Sequence, residues 1–281
     1  MKLGNKTISI LEAGRFRLDG GAMFGVVPRV LWEKRKQPDD KNRIAMATNL
    51  LLIQYQDRNI LVDTGIGTKY DDKFKKIYAV EDDPYNLTRA LEKAGLTAEA
   101  ITDVILTHLH FDHTGGSTTR NAKGAVVPTF PNARYYVQKS QYEWALNPSE
   151  KDRASFFPEN YVPLYEAGQL ELLDGDGELF PGIRVMTVTG HTPGQQMVRV
   201  EGEGQTVLFA ADLIPLEPHL SIPWVMAYDL YPLETIREKK AILNRAVEEN
   251  WIIVFEHDPE VLAGTVTRTE KGFALKETVT V

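Results

Sequence analysis

Cysteine is absent from the 281 residues of the chain. Its absence excludes disulfide bonds, zinc sites built from thiolates and cysteine nucleophiles. Disulfides are rare in the reducing cytoplasm. A chain without cysteine is therefore compatible with a cytoplasmic protein, which is the location we expect.

Long apolar runs and strongly basic stretches are also missing. No run approaches the ~20 apolar residues that span a bilayer, and residues 1–16 lack the apolar core and cleavage site of a secretory signal peptide. The net charge is −7, and the most basic stretch, residues 33–43, mixes both signs. Phosphates require clustered Lys and Arg. We therefore expect neither a membrane nor a nucleic acid as a partner.

The composition is that of an ordinary globular protein, with 43% hydrophobic and 25% charged residues. Short β-branched runs alternate with helical patterns, which predicts a mixed α/β fold built in layers. Neither an internal repeat nor a low-complexity linker divides the chain, so we predict one domain over residues 1–281. The predicted strands are "NLLLIQY", "NILVDTG", "DVILTH", "ARYYVQ", "IRVMTVTG", "TVLFAAD" and "WIIVFEH".

Three helices are predicted from capping signals and periodicity. The first, "DPYNLTRALEKAGL", has Asn86 as its N-cap and Gly95 at its C-terminal stop. The second, "SQYEWALNP", opens with a Ser-x-x-Glu capping box at Ser140 and Glu143. The third and longest, "PLETIREKKAILNRAVEENW", has Pro232 near its start.

Several strand-like runs end in a side chain that can bind a metal or act in catalysis. These side chains are Asp63, His108, His191, Asp212 and His257. Polar groups at strand ends can converge at one edge of a sheet, where α/β proteins usually have their sites. Turns also favour Asp and tolerate His, which leaves an ordinary turn as the alternative at each position.

The segment "THLHFDHTGG" holds three of the six histidines of the chain. In an extended segment, side chains two residues apart point the same way, so His108 and His110 can bind one ion together. Asp112 and His113 follow after the chain turns, and they are available to a second ion. A surface histidine or a satisfied core histidine is the alternative, but neither explains this spacing directly after a buried strand.

The spacing His-x-His-x-Asp-His resembles the motif of the metallo-β-lactamase superfamily. The later landmarks follow in the family order: "TGHTPG" with His191, "AADL" with Asp212 and "FEHD" with His257. The resemblance covers nearly the whole chain and is weakest over residues 117–182. It implies an α/β fold, the four-layer αβ/βα sandwich, in which two mixed β-sheets lie back to back with helices outside and a site along one edge.

The resemblance also implies two metal ions. The family has three histidines for one ion, an aspartate and two histidines for the other, and an aspartate that bridges both. In that order these residues are His108, His110 and His191; Asp112, His113 and His257; and Asp212. Imidazole and carboxylate ligands suit zinc, which we expect, but also iron, manganese or cobalt.

Two cations about 3.5–4 Å apart lower the pKa of a bridging water and hold a hydroxide at neutral pH, which attacks a carbonyl or phosphoryl centre. Asp112 is the candidate for passing a proton to the leaving group. His110 stands where the redox di-iron branch of the family has a glutamate, and this favours hydrolysis. Asp63, in "VDTG", resembles the first family landmark. We expect it to accept a hydrogen bond from a ligand histidine, with a turn aspartate as the equal alternative.

Two segments, residues 19–32 and 211–232, resemble those that shape the pocket in the N-acyl-homoserine lactonase and methyl parathion hydrolase group. Their apolar residues suit an acyl chain or an aromatic leaving group, although apolar residues usually pack in the core. The candidates for substrate binding are Met23, Phe24, Trp224 and Met226. His219, outside the ligand set, is a candidate for proton transfer or an ordinary loop histidine. Tyr228 could donate a hydrogen bond to a developing oxyanion.

The predicted function is that of a dinuclear metal hydrolase, a quorum-quenching lactonase that opens the ring of N-acyl-homoserine lactones. A small-molecule ester or lactone is then the partner, and the resemblance implies a homodimer. An organophosphate triesterase or another esterase is the alternative within the enzyme class. A non-catalytic metal-binding module is the alternative outside it, disfavoured because the ligand set is complete. We do not expect a glyoxalase II, which would need a helical glutathione-binding tail, because only 24 residues follow His257.

Overall fold

Two β-sheets form the centre of the computed structural model, which describes residues 1–281 and the side chains of all of them except residues 82–85. In spatial order, the first sheet contains Lys2–Leu3, Lys6–Asp19, Arg43–Tyr55, Arg58–Val62, Asp103–Ile105, Arg134–Gln138 and Leu170–Leu173, with Glu81–Asn86 paired to Lys6–Asp19. The second contains Gly177–Phe180, Ile183–Val188, Gln195–Gly202, Gln205–Phe209, Ile252–Val254, Ala263–Thr269 and Gly272–Thr278. Thr118–Arg120 and Val126–Pro128 form a separate hairpin. Each of the seven predicted strands is confirmed.

Helices cover the outer faces of the sheets. The α-helices are Gly20–Phe24, Arg29–Trp32, Asp72–Tyr78, Leu87–Lys93, Phe111–Thr114, Lys139–Leu146, Val162–Glu166 and Pro232–Glu248. Short 3-10 helices are Ala98–Ala100, Gly115–Ser117, Arg153–Ser155, Pro158–Asn160, Ala211–Leu213 and Glu217–Leu220. None of the helices in the described part of the chain combines the length and the apolar character that crossing a membrane requires.

Three apolar layers hold the sheets and helices together. Between the sheets, Val62 of the first packs in one cluster with Val198 and Phe209 of the second. Helix Leu87–Lys93 packs on the outer face of the first sheet, and helix Pro232–Glu248 packs on the outer face of the second. Central strands are buried on both faces, which explains why they read as continuous apolar runs. The predicted αβ/βα sandwich is confirmed.

The start signals of the three predicted helices have different outcomes. Pro232 is the first residue of helix Pro232–Glu248, so the predicted start of the longest helix is confirmed. The Asn86 side chain accepts a hydrogen bond from the Arg89 amide, so this N-cap is confirmed. The capping box at Ser140 and Glu143 is wrong, because the helix begins at Lys139 and its N-cap is Gln138, two residues before Ser140. The preceding strand continues through Gln138, whose side-chain amide is hydrogen-bonded to Gly175 and Gln196, and the chain turns directly from there.

The fold brings the strand ends together at one edge of the sandwich. Backbone hydrogen bonds join the two sheets there: the Gln196 amide donates to the Thr107 carbonyl, and the Ala47 amide donates to the His257 carbonyl. Asp63 follows Arg58–Val62 directly, and His108 lies shortly after Asp103–Ile105, its parallel neighbour. This edge carries the candidate site.

Candidate metal centre and active-site cavity

Four buried side chains form the first cluster at this edge: His108, His110, His191 and Asp212. His108 Nε2 lies 3.0 Å from His110 Nδ1, and His191 Nε2 lies 3.1 Å from the same nitrogen. Asp212 Oδ2 lies 3.2 Å from His191 Nε2. Four ligand atoms this close together could hold one metal ion.

Asp112, His113 and His257 form the second cluster. His113 Nε2 lies 3.2 Å from His257 Nε2. The two carboxylate oxygens of Asp112 lie 3.9 Å from His113 Nε2 and 3.8 Å from His257 Nε2. Asp212 Oδ1 lies 3.1 Å from His257 Nε2, while its Oδ2 lies 3.2 Å from His191 Nε2 in the first cluster and 3.6 Å from His113 Nε2 in the second. The Asp212 carboxylate therefore lies between the two clusters.

The local backbone explains how one short segment reaches both clusters. His110 is extended, and the short helix Phe111–Thr114 begins directly after it, which turns Asp112 and His113 away from the first cluster. The following glycine is required by packing. A Cβ at Gly115 would lie 1.7 Å from the Ile66 carbonyl oxygen, so no larger residue fits this turn.

The side chains fit a metal ion better than they fit hydrogen bonds with one another. A neutral imidazole has one N–H, so the nitrogens that meet at His110 Nδ1 cannot all be paired. In a tetrahedral zinc site with bonds of about 2.0–2.1 Å, neighbouring ligand atoms are roughly 3.3 Å apart. Burial and the neighbouring imidazoles lower the pKa of His108 and of His110 well below the usual value. Both are therefore neutral, the form in which histidine binds metals.

Acidic side chains surround the two imidazoles of the second cluster. Although burial opposes it, Glu256 and Asp212 raise the pKa of His113 well above its usual value. Asp212 likewise outweighs burial and raises the pKa of His257 to about 9. Both shifts show that a positive charge is favoured between these side chains, and a divalent cation supplies one.

Three imidazoles are oriented by a hydrogen bond at the ring nitrogen that faces away from the clusters. His113 Nδ1 lies 3.0 Å from Asp63 Oδ2. His191 Nδ1 lies 2.9 Å from Asp229 Oδ1, and His257 Nδ1 lies 2.8 Å from a backbone carbonyl oxygen, that of Ala47. Such contacts fix the tautomer and leave Nε2 free to bind a metal.

Asp63 is held tightly in this position. Its carboxylate accepts hydrogen bonds from the Thr107 amide at 2.7 Å and from the Thr107 hydroxyl at 2.6 Å. Its backbone has φ of 59°, a conformation that non-glycine residues rarely adopt. A second carboxylate, Glu256, lies 3.1 Å from the same His113 Nδ1. His113 is thus flanked by two acids, of which the sequence motif indicated one.

A cavity of about 140 Å³ opens onto both clusters. Its polar end is formed by His110, Asp112, His191, Asp212 and His257. Its other lining residues are mostly apolar or aromatic: Leu18, Met23, Tyr78, Phe111, Met226, Ala227 and Tyr228, together with Lys151, Asp152 and Ser155. An apolar cavity with a few convergent polar groups is typical of a small-molecule site.

The four apolar residues expected to bind substrate lie in two layers. Met23 and Met226 line the cavity. Phe24 lies behind them, fully buried and stacked on Trp32 with 5.5 Å between ring centroids. Trp224 packs edge-on against Phe24 at 5.4 Å. Phe24 and Trp224 therefore support the cavity wall.

The two other candidates, His219 and Tyr228, have different surroundings. The His219 ring stacks on Phe24, and its Nε2 donates a hydrogen bond to the Met23 carbonyl at 2.8 Å. Burial lowers its pKa to about 3, so the ring is neutral. We therefore regard His219 as a support of the wall that carries Met23. Tyr228 lines the cavity, and burial raises the pKa of its phenol, which stays protonated and able to donate.

Several residues of the site escaped the sequence analysis, among them Tyr78, Lys151 and Asp229. Tyr78 and Lys151 line the cavity, and Asp229 contacts His191. Asp229 is the one with a signal in the sequence, since it lies beside Tyr228 in a segment already related to the pocket. Tyr78 and Lys151 come from a helix and a loop that carry no motif.

Comparison with known proteins agrees with this geometry. Residues 43–257 match the model of the metallo-β-lactamase superfamily. The chain is 28% identical to N-acyl homoserine lactonase AiiA from Bacillus thuringiensis subsp. kurstaki over 225 residues, which cover 74% of this chain and 80% of that protein.

Solved structures share the fold over almost the whole chain. A probable metal-dependent hydrolase from Staphylococcus aureus is 31% identical, with a TM-score of 0.88 over 99% of this chain and 100% of the other. The dizinc quorum-quenching lactonase AidC, in complex with a product, is 22% identical, with a TM-score of 0.82 over 100% of this chain and 97% of the other. The family match spans most of the chain and includes both clusters, and this protein therefore belongs to the metallo-β-lactamase superfamily.

Proposed function

We propose that this protein is a dinuclear metal hydrolase, a lactonase that opens the ring of N-acyl-homoserine lactones, with residues 1–281 as one catalytic domain. The observation that carries the proposal is the position of Asp212. Its carboxylate lies between the two ligand clusters, with Oδ1 nearest to His257 and Oδ2 nearest to His191, at the polar end of a largely apolar cavity. That arrangement suits a substrate with a reactive ester at one end and an acyl chain at the other.

The proposed metal is zinc, with one ion in each cluster. The first ion would bind His108, His110 and His191; the second would bind Asp112, His113 and His257; and Asp212 would bridge them. Two ions so held would activate water and polarise the ester carbonyl. Bridging by a carboxylate keeps two cations close and offsets part of their repulsion.

The side chains around the clusters would orient the substrate and move protons. Asp112 lies at the cavity surface beside His113 and His257, and we assign to it the transfer of a proton from the attacking water to the departing alkoxide. Tyr228 would donate its phenolic proton in a hydrogen bond to the carbonyl oxygen as negative charge develops there. Met23 and Met226 would contact the acyl chain, while Phe24 and Trp224 support that wall.

The relatives support this choice of substrate. AiiA is named as an N-acyl homoserine lactonase, and AidC is a quorum-quenching lactonase. Organophosphate triester hydrolysis is the second candidate, because the aromatic side chains Tyr78, Phe111 and Tyr228 in the cavity could also contact an aryl leaving group.

The test is a hydrolysis assay in which proton release is the readout. It is run with metal-replete protein and with protein from which a chelator has removed the metal. Substrates are short- and long-chain N-acyl-homoserine lactones, a paraoxon-type triester and a β-lactam. We expect lactone turnover that is lost on chelation and restored by zinc. Turnover of the triester alone would contradict the proposed lactonase activity and indicate a phosphotriesterase. No turnover and no bound metal would favour a non-catalytic module.

A further inference from the structure

We propose that two lysines, Lys151 and Lys239, are positioning residues that hold the wall segment, residues 221–229, against the candidate site. The wall segment forms part of the cavity and carries Asp229, which orients His191. The effect of the lysines on catalysis rests on the proposed function, whereas their effect on the path of the wall segment does not.

Lys151 holds the second half of the wall segment. Its Nζ donates to three consecutive carbonyl oxygens, those of Ala227 at 2.8 Å, Tyr228 at 3.0 Å and Asp229 at 3.1 Å. A lysine ammonium has three N–H donors, so this set uses all of them. The contacts join residues 76 to 78 positions apart in the chain, so they fix the wall segment to the loop that carries Lys151.

Lys239 holds the first half in the same way. It lies on helix Pro232–Glu248 with its side chain fully buried. Its Nζ donates to the carbonyl oxygens of Ser221 at 2.9 Å, Ile222 at 3.3 Å and Trp224 at 2.7 Å. Burial lowers the pKa of Lys239 to about 7, and a buried amine, charged or neutral, is tolerated only when its donors are paired. These carbonyl oxygens provide that pairing.

The wall segment has no helix or strand of its own to satisfy its carbonyl groups. Carbonyl groups that are shielded from water need donors, and six of the nine in the wall segment accept a hydrogen bond from a lysine. The other backbone–backbone hydrogen bonds of the segment are made by the amides of Ser221, Trp224, Ala227 and Asp229, which donate in that order to the carbonyls of Pro218, Ser221, Ala22 and Met226. The two lysines therefore make most of the hydrogen bonds that tie the backbone of this segment to other parts of the chain.

The link from Lys151 to the candidate metal centre runs through Asp229. The carboxylate of Asp229 contacts His191 Nδ1 at 2.9 Å through Oδ1 and accepts the Met226 amide at 3.2 Å through Oδ2. Lys151 binds the carbonyl of this same residue. Without the ammonium, Asp229 loses a fixed backbone, and Tyr228 loses its position in the cavity. Lys151 thus acts on the reaction through other side chains.

The experiment uses the full chain and the variants Lys151→Met and Lys239→Met, which keep side-chain length and remove the donors. Lys123→Met and Lys240→Met are matched controls, since both lysines are exposed. Hydrogen exchange of the Met226, Ala227 and Asp229 amides is followed by mass spectrometry. In Lys151→Met we expect exchange to rise by about tenfold, since a hydrogen bond to a charged group is worth about that factor. Lys151→Arg, which keeps a cationic donor, should recover part of the protection.

Kinetics and metal content are measured on the same samples. We expect kcat for the lactone to fall by about 10- to 100-fold in Lys151→Met, as for other residues that orient a metal ligand, with a smaller change in KM. Unchanged exchange in Lys151→Met would overturn the proposal, whatever happens to Lys239→Met. Faster exchange with unchanged kcat would overturn its catalytic part. If the wild type opens no lactone, the proposed function fails, and the exchange data still decide whether the lysines hold the segment.

Discussion

Asp229 Oδ1 lies 2.9 Å from His191 Nδ1, and both side chains are almost completely buried. The carboxylate sets the tautomer of the imidazole and turns its Nε2 toward the first cluster. No sequence motif indicates this pair, because the two residues are 38 positions apart and meet only in the fold.

Replacing Asp229 therefore tests how much metal binding and turnover depend on the orientation of His191. In Asp229→Ala we expect metal affinity and kcat each to fall by about 10- to 100-fold. Metal titration and lactone hydrolysis measure the two effects. Asp40→Ala removes an equal charge from an exposed position and should behave as the wild type. Full metal affinity in Asp229→Ala would show that His191 is oriented without its partner.

Removing a ligand candidate should abolish turnover and keep the fold. His110→Ala and Asp212→Ala delete side chains that meet other polar groups of the site, while the apolar clusters between the layers stay intact. We expect near-wild-type circular dichroism, fewer than two metals per chain and no detectable lactone hydrolysis. Turnover retained by either variant would contradict its role.

Tyr228→Phe separates hydrogen bonding from packing. The ring stays in the cavity wall, so KM should change little. The loss of a donor to a developing oxyanion should lower kcat by about 100-fold. Steady-state kinetics measure both, with Tyr165→Phe, an exposed tyrosine, as the control. A change in KM alone would show that Tyr228 does not stabilise the developing oxyanion.

We expect the buried His219 to make the free energy of unfolding depend on pH. Burial lowers its pKa to about 3 in the folded protein, against about 6.5 in the unfolded chain. Because the unfolded chain binds the proton more tightly between these values, stability is lost as the pH falls from 6.5 towards 3. The slope from this group is about 1.4 kcal/mol per pH unit.

The measurement is urea unfolding at pH 7 and pH 5, on metal-free wild type and metal-free His219→Phe. The variant loses the hydrogen bond to the Met23 carbonyl at every pH. Its loss of stability between the two values should be smaller than that of the wild type by about 2 kcal/mol. Equal losses in both proteins would mean that His219 does not titrate on unfolding.

The parts of the fold that could be predicted from the sequence are those with a local signal. Strands buried on both faces read as apolar runs, and a helix such as Leu87–Lys93 shows its N-cap at Asn86. The strand Lys6–Asp19 was not predicted, because charged residues interrupt its apolar residues and no continuous apolar run is left. The capping box at Ser140 failed because a tertiary contact of Gln138 sets where the preceding strand ends.

The site divides in the same way. His108, His110, Asp112 and His113 stand in one short motif, so their grouping could be read directly. Lys151 is recognised only through the carbonyl groups that the fold brings to it. Apolar identity alone does not separate a residue on a cavity wall from one behind it.

The most direct test of the dinuclear centre is a crystal structure of metal-replete protein with anomalous scattering recorded at the zinc edge. We expect two peaks about 3.5–4 Å apart, one in each cluster, with a carboxylate oxygen of Asp212 bound to each. A single peak, or two peaks that do not share Asp212, would contradict the account.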